Sequence, residues 1–320
     1  APITGASQDS NFAAARLFAS KIMGRNPLSV EARMAEIKTT TVGEPSLRSA
    51  FDMALYDILG QAAGLPLYRL LGGEERELRT DFTIVMQETV QKTLERLDDG
   101  RARGFEEVKL KVGRPGLADV EYVAAVRKQV GPNFAIKIDS NQGWDYPTAV
   151  ANLRAMEAHG VQYSEQPIAA WDYENLGRLR DKVSIPICAD ESVFDDRDAL
   201  KLVAMGAVDY LNIKLGKAGG ITTALRIESI AQAAGCKCMI GCFMESRLSL
   251  TAAAHLASAR PNIAFLDLDS GMNLKSDPVQ GGMVYVENGG GIIELPDAPG
   301  LGARIDGEFL QNCEHYCVTE

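Results

Sequence analysis

Apolar residues fall into two regimes along the chain. Over roughly the first quarter they recur at the three-to-four-residue step of amphipathic helices, and beyond Thr80 they gather into short apolar or β-branched runs separated by helical stretches. Three helices are predicted first: Ser10 to Gly24, Ser29 to Gly43 and Ser46 to Gly64. Each opens on a hydroxyl that can cap free N–H groups and closes on a glycine that can take the left-handed conformation. In the third, Leu47, Phe51, Ala54, Leu55, Ile58 and Leu59 share one face, which points to a small helical unit.

The runs that follow predict eight strands: Phe82–Met86, Glu107–Lys111, Ala135–Asp139, Gln162–Glu165, Pro186–Asp190, Tyr210–Lys214, Cys236–Gly241 and Ala264–Asp267. Their last residues step forward by 24 to 28 positions with seven helices between them. So regular a βα repeat predicts a closed parallel barrel, a (β/α)7β variant of the TIM type, because the edge units of an open sheet are less uniform. After Asp269 the chain is too densely broken by Pro278, Gly281, Gly282, Gly289, Gly290, Gly291, Pro296 and Pro299 for an eighth helix. It is expected to turn back onto the helical unit. The predicted division is a capping domain over 1–79, the catalytic barrel over 80–270 and a return segment over 271–320, giving a partial α+β cap formed from both chain ends.

Composition narrows the function. The 320 residues are 46% hydrophobic and 24% charged, ordinary for a globular chain, and 33 basic against 43 acidic residues leave a net charge of −10. A nucleic-acid polyanion would be repelled. No apolar run approaches the roughly 20 residues that span a bilayer, so the expectation is a cytoplasmic protein without a membrane partner. Cys236, Cys238 and Cys242 invite a zinc reading, but no second pair follows at zinc-ribbon spacing and the segment reads as a buried strand. Cys313 and Cys317 around His315 are assigned to a tail helix. His159, His255 and His315 all avoid the strand ends, so mechanisms that pair a Ser or Cys nucleophile with a histidine lose support. The glycines of Gly216-Lys-Ala-Gly-Gly220 lack the Lys-Ser/Thr ending of a phosphate loop and are read as a tight turn.

Barrels of this type do their chemistry at the C-terminal ends of the strands. Charged residues stand there in series: Lys109 and Lys111, Asp139, Glu165, Asp190 with Glu191, Lys214, then Asp267 and Asp269. Asp139, Glu165 and Asp190 come from neighbouring strands, and carboxylates that converge repel unless a cation neutralises them. An all-oxygen set suits Mg²⁺ better than zinc. The alternative, three separate ion pairs, has Lys109, Lys111 and Lys214 to draw on. Lys111 and Lys214 flank the carboxylates from opposite sides, where two bases could move a proton between the faces of one carbon. Lys109 and a metal would each disfavour the ammonium form of a neighbouring lysine, as a base requires.

Several segments resemble the muconate-lactonizing subgroup of the enolase superfamily. They are Lys109-Leu-Lys111, Lys137-Ile-Asp-Ser-Asn141, Ser164-Glu-Gln-Pro167, Ala189-Asp-Glu-Ser192 and Asn212-Ile-Lys-Leu-Gly-Lys-Ala-Gly-Gly220. Ala54 to Gly60, Leu70 to Gly73 and Leu295 to Gly302 are similar as well. The resemblance implies Mg²⁺ on Asp139, Glu165 and Asp190, Lys111 and Lys214 as the acid/base pair, electrostatic support from Lys109, and a supporting shell of Asn141, Glu191 and Asn212. Asp267-Leu-Asp269 resembles the dipeptide epimerases, in which such a pair binds a free N-terminal amine; residues i and i+2 share a face and can both accept from one ammonium. Gly241 to Ser246 is similar to the same enzymes and places Met244 and Glu245 as pocket residues. The implied activity is a Mg²⁺-dependent 1,1-proton transfer, through an enediolate, at the α-carbon of the C-terminal residue of an Ala-Glu-type dipeptide. A small dipeptide is the expected partner, and a homo-oligomer is compatible with the sequence. The o-succinylbenzoate synthases, N-acylamino acid racemases and muconate cycloisomerases act on substrates without a free amine and leave Asp267 and Asp269 unexplained; a non-catalytic barrel leaves the whole series of charges unexplained. Relatives usually carry, ahead of the region where this chain starts, a small antiparallel sheet with a mobile loop that closes over the substrate.

Overall fold

The computed structural model describes residues 3–318. Its first quarter is helical: α1 (Gln8–Ile22), α2 (Val30–Lys38), α3 (Pro45–Ala63) and the single turn α4 (Leu67–Leu70). The caps differ from those the sequence predicts. Ser7, not Ser10, caps α1, and Ser10 returns a bond to the Ser7 N–H, closing a reciprocal capping box. Helix α2 stops at Lys38, short of Gly43, because the hydroxyls of Thr39 and Thr40 both donate to the carbonyl of Glu36 and end the helix there. Helix α3 starts at Pro45, with its ring at a position where no N–H is needed, and Ser46 instead donates to the Gly216 carbonyl at 3.1 Å.

A short strand β1 (Leu78–Arg79) precedes the barrel, which is built from β2 (Phe82–Ile84), β3 (Glu107–Lys111), β4 (Ala135–Asp139), β5 (Val161–Glu165), β6 (Ile187–Ala189), β7 (Tyr210–Ile213), β8 (Lys237–Ile240) and β9 (Ile263–Leu266). These eight run parallel in sequence order. The seam between first and last is bridged by Asp81 N–H to Leu266 O at 3.3 Å and by Leu268 N–H to the Thr80 hydroxyl. The connecting helices are α5 (Val90–Ala102), α6 (Ala118–Val130), α7 (Tyr146–Met156), α8 (Tyr173–Arg180), α9 (Asp196–Ala204), the turn α10 (Leu215–Ala218) running into α11 (Ile221–Ala233), and α12 (Arg247–Ala259). The first barrel strand ends at Ile84, leaving Val85 and Met86 exposed in a loop.

Alternation along the strands sorts the core. Val108, Ile136, Ile138, Ile187, Leu211 and Ile240 are buried against the helices, each worth about 1.5–3 kcal/mol. The alternate positions point into the barrel, where Tyr163, Cys188 and Met239 pack with Tyr210 and Phe265. Lys137 crosses this interior, held by Glu107 at 2.9 Å and Asp81 at 3.0 Å.

After β9 come β10 (Val279–Gly281), β11 (Val284–Tyr285), β12 (Ile292–Glu294), β13 (Ala303–Ile305) and α13 (Gly307–Gln311). Strands β1, β12 and β11 form one antiparallel sheet, and β10 and β13 another. Leu67 N–H donates to Gly300 O at 2.8 Å, and Leu301 N–H to Asp57 at 2.7 Å, which fastens the return segment to the N-terminal helices. The predicted tail helix ends at Gln311, so Cys313, His315 and Cys317 lie beyond it, without metal-cluster geometry. Among the described residues no helix is long and apolar enough to cross a membrane.

Candidate active site

Strand register assembles the mouth. Lys111, Asp139 and Glu165 are successive partners across β3, β4 and β5, so their side chains emerge side by side in one layer. Asp190 and Lys214 stand just past the ends of β6 and β7. Lys109, one layer below, is fully buried and reaches up to Asp267 at 2.6 Å, Glu165 at 2.8 Å and Asp139 at 3.1 Å. Lys111 binds Asp139 at 2.5 Å and Asn141 at 2.8 Å, and Asn141 in turn donates to Glu191. Lys214 pairs with Asp190 at 2.8 Å, and Asn212 donates to Glu165 at 2.8 Å.

Two participants escaped the sequence reading. Lys217, dismissed there with the glycine turn, is a fourth cation of the mouth: its ammonium donates to both the carboxylate and the carbonyl of Asp190 and to the carbonyl of Asn212. Gln166 is the other. It holds φ at 34°, accepts from the N–H groups of Asp190 and Ser192, and donates to Ile168 O and the Ser192 hydroxyl, so one amide pins the strand end that carries Asp190. The Ser164-Glu-Gln-Pro167 motif was its signal.

The Asp267 and Asp269 side chains are brought together by Thr83, whose hydroxyl donates to Asp267 at 3.3 Å and whose N–H donates to Asp269 at 2.8 Å. They are not equivalent. Burial disfavours the Asp267 carboxylate, but Lys109 outweighs it and brings the pKa down to about 2. Asp269, opening a short 3₁₀ turn, is pushed up to about 6 by burial and by the neighbouring Asp267 charge. Both line a cavity of about 960 Å³ together with Thr83, Lys111, Lys214, Glu191, Phe243 and Met244. Glu245 is not part of it. Its carboxylate accepts from the Phe243 N–H and the Ser249 hydroxyl, bracing the loop that enters α12.

Each ligand candidate carries the mark of its neighbours. Burial raises Glu165 to about 7, with help from the Asp139 charge. Asp190 is held well below the usual range, since Lys214 and Lys217 together overcome its burial. Lys214 is correspondingly held above its ordinary value: burial lowers it, but Asp190 and then Glu165 prevail. The depressed lysine expected of a base is therefore not found at Lys214, which rests as an ammonium. The basic partners needed for separate ion pairs are also all in place.

Among the described residues no three His, Cys, Asp or Glu side chains stand arranged around a common point as a metal cage, because the carboxylates are turned onto the lysines. The donor set nevertheless fits a magnesium ion. Counted with every carboxyl ionised and every amine protonated, Asp139, Glu165, Asp190, Glu191, Asp267 and Asp269 face Lys109, Lys111, Lys214 and Lys217, a formal excess of two negative charges that a divalent cation balances. Oε2 of Glu165 lies 2.8 Å from Lys109 yet receives no directed hydrogen bond, and Oε2 of Glu191 has no donor either. Buried oxygens of that kind are what a hard cation takes.

Residues 92–309 match the family described as Enolase C-terminal domain-like, and residues 1–72 match the mandelate racemase/muconate lactonizing enzyme N-terminal domain. The chain belongs to the enolase superfamily. Among its relatives within that superfamily, the D-Ala-D/L-Ala epimerase of Cytophaga hutchinsonii is 37% identical over 99% of this chain and 86% of that protein. The L-Ala-D/L-Glu epimerase of Clostridium acetobutylicum is 40% identical over 88% of this chain and 78% of its own length. The crystal structure of the Cytophaga hutchinsonii dipeptide epimerase, complexed with Mg and the dipeptide D-Ala-L-Val, superposes with a TM-score of 0.92 at 36% identity, covering 98% of this chain and 84% of that one. Across 98% of this chain, this enolase-superfamily barrel thus shares its fold with an enzyme crystallised with Mg, the ion its donor set fits.

Proposed function

We propose that the chain is a Mg²⁺-dependent dipeptide epimerase, inverting the α-carbon of the C-terminal residue of dipeptides of the Ala-Glu type. The observation that carries this reading is one cavity lined by Lys111 and Lys214 beside the carboxylate cluster and by Asp267 and Asp269 along its wall. Asp139, Glu165 and Asp190 would hold the metal. When bound, Mg²⁺ supplies positive charge against the negative charge that builds on the substrate carboxylate as its α-proton leaves.

The residues divide the remaining work. Lys111, in its neutral form, takes the α-proton from one face, and the Lys214 ammonium returns a proton to the other; for the opposite epimer the roles reverse. Lys109 stays charged, because burial is outweighed by Asp267, Glu165 and Asp139, and it keeps three carboxylates from repelling one another. Asp269, less neutralised than Asp267, accepts from the substrate's N-terminal ammonium and sets the distance from that amine to the α-carbon. An N-acylated substrate brings no charge there and leaves a buried carboxylate without a partner. Incubation of the Mg²⁺-loaded enzyme with a dipeptide library in D₂O, read by mass spectrometry, is expected to place one deuterium on the C-terminal α-carbon and to generate the second epimer. An N-succinyl or N-acetyl amino acid turned over faster than every free dipeptide would overturn the assignment.

A further inference from the structure

Helix α3 acts on the mouth of the barrel from outside it. Asp52, on its inner face, is fully buried, and its two oxygens accept from the Thr222 N–H at 3.1 Å and the Thr222 hydroxyl at 2.6 Å. These donors belong to the first turn of α11, whose own N-cap, Gly220, has no side chain to satisfy them. The fit is mutual. Gly220 holds φ at 113°, and a Cβ there would stand 2.4 Å from the Asp52 carboxylate. Six residues earlier on α3, the Ser46 hydroxyl donates to the Gly216 carbonyl. Lys217 lies between these two grips, and Lys214, which opens the same turn, stands two residues before the first of them.

We propose that Asp52 is a positioning residue for Lys214: by capping α11 from a separate unit of the fold, it fixes the 214–220 turn and sets the Lys214 ammonium on its face of the α-carbon. The inference rests on the two-lysine epimerase reading. It has an asymmetric consequence, because Lys111 sits within β3 and its hydrogen bonds run to Asp139 and Asn141, not to α3. Loosening Asp52 should therefore disturb one proton transfer and spare the other. Epimerisation needs both bases and cannot separate them. Exchange with retention can, since a single base that removes a proton, trades it for solvent deuterium and returns it to the same face labels the starting epimer.

The test uses the two epimers of one dipeptide, separately, with Mg²⁺-saturated enzyme in D₂O, measuring early deuterium incorporation with retention. Lys214→Ala and Lys111→Ala identify which epimer reports on which base. Asp52→Ala and Thr222→Val are expected to slow exchange at the Lys214 face by about ten- to a hundredfold while changing the Lys111 face by less than about twofold. Asp52→Asn keeps an acceptor oxygen and should recover most of the loss. Should Asp52→Ala fail to fold, the isosteric Thr222→Val carries the same comparison. Equal losses at both faces, or none, would overturn the inference while leaving the epimerase reading intact. A wild-type enzyme that labels no dipeptide would overturn that reading and this inference with it.

Discussion

Lys111 keeps 27% of its side chain exposed, whereas Lys214 is buried and locked onto Asp190, so two lysines assigned symmetrical work have unequal surroundings. Replacing either with alanine should abolish epimerisation yet leave retained-configuration exchange in one epimer; epimerisation near the wild-type rate in either variant would end the two-base assignment. Asp269→Asn tests the amine site. It removes a charge-assisted bond of about 1.5–3 kcal/mol, so kcat/KM for a free dipeptide should fall by roughly ten- to a hundredfold and much less for its N-acetyl form. Equal falls on the two substrates would show that Asp269 does not read the amine. At this scale the charged strand ends were legible because strand period and barrel geometry dictate where they point. Lys217 was not, since its role depends on a glycine-rich turn curling back to Asp190, and Glu245 stood in the same short loop as Met244 with nothing in the sequence to tell pocket from brace.

Helix α12 meets the return segment through His255, buried, stacked on Tyr68 at 5.7 Å between ring centroids, with Nε2 donating to the Leu301 carbonyl at 3.2 Å. Burial drives its pKa from 6.5 down to about 4. The unfolded chain therefore takes up a proton near 6.5 that the folded one refuses, so the contribution of His255 to stability falls as pH drops from about 6.5 to about 4, by about 3 kcal/mol. The difference in urea midpoint between the wild type and His255→Phe should follow that slope across the range, and the variant should also be about 1 kcal/mol less stable at neutral pH. An unchanged slope would assign the acid limb to other groups. Element existence was readable throughout from periodicity, whereas element ends were decided by local competition. Ser7 and Ser10 are both good caps, and the bond between them settles which one begins the helix; Thr39 and Thr40 stop α2 before the glycine predicted to end it.

Over the whole molecule, the excess of two negative charges at the mouth is small because four lysines already offset most of it. Chelation should therefore abolish turnover without unfolding the barrel. Mg²⁺ at a hundred times its Kd should add about 2.7 kcal/mol, seen as a melting point a few degrees higher than in EDTA. A chain that loses its cooperative transition in EDTA would show instead that the metal is structural. The regular step of the eight strands made the barrel plain in the sequence. The pairing of the two ends was only sketched there, because Leu301 and Asp57, 244 positions apart, announce nothing of each other.

That distance has a meaning in time. At roughly 5–20 residues per second, a ribosome that has finished α3 and α4 works on for about 10 to 50 s before it releases the Gly300-Leu301 pair that completes their packing. Gly300, at φ 73° and with no room for a Cβ beside Asp57, admits no substitute for the late arrival. Throughout that interval Leu67, buried in the finished protein, is part of an apolar face without its final cover. Synthesis is thus a stage of exposure for these helices, whose packing waits on a loop made more than two hundred residues later.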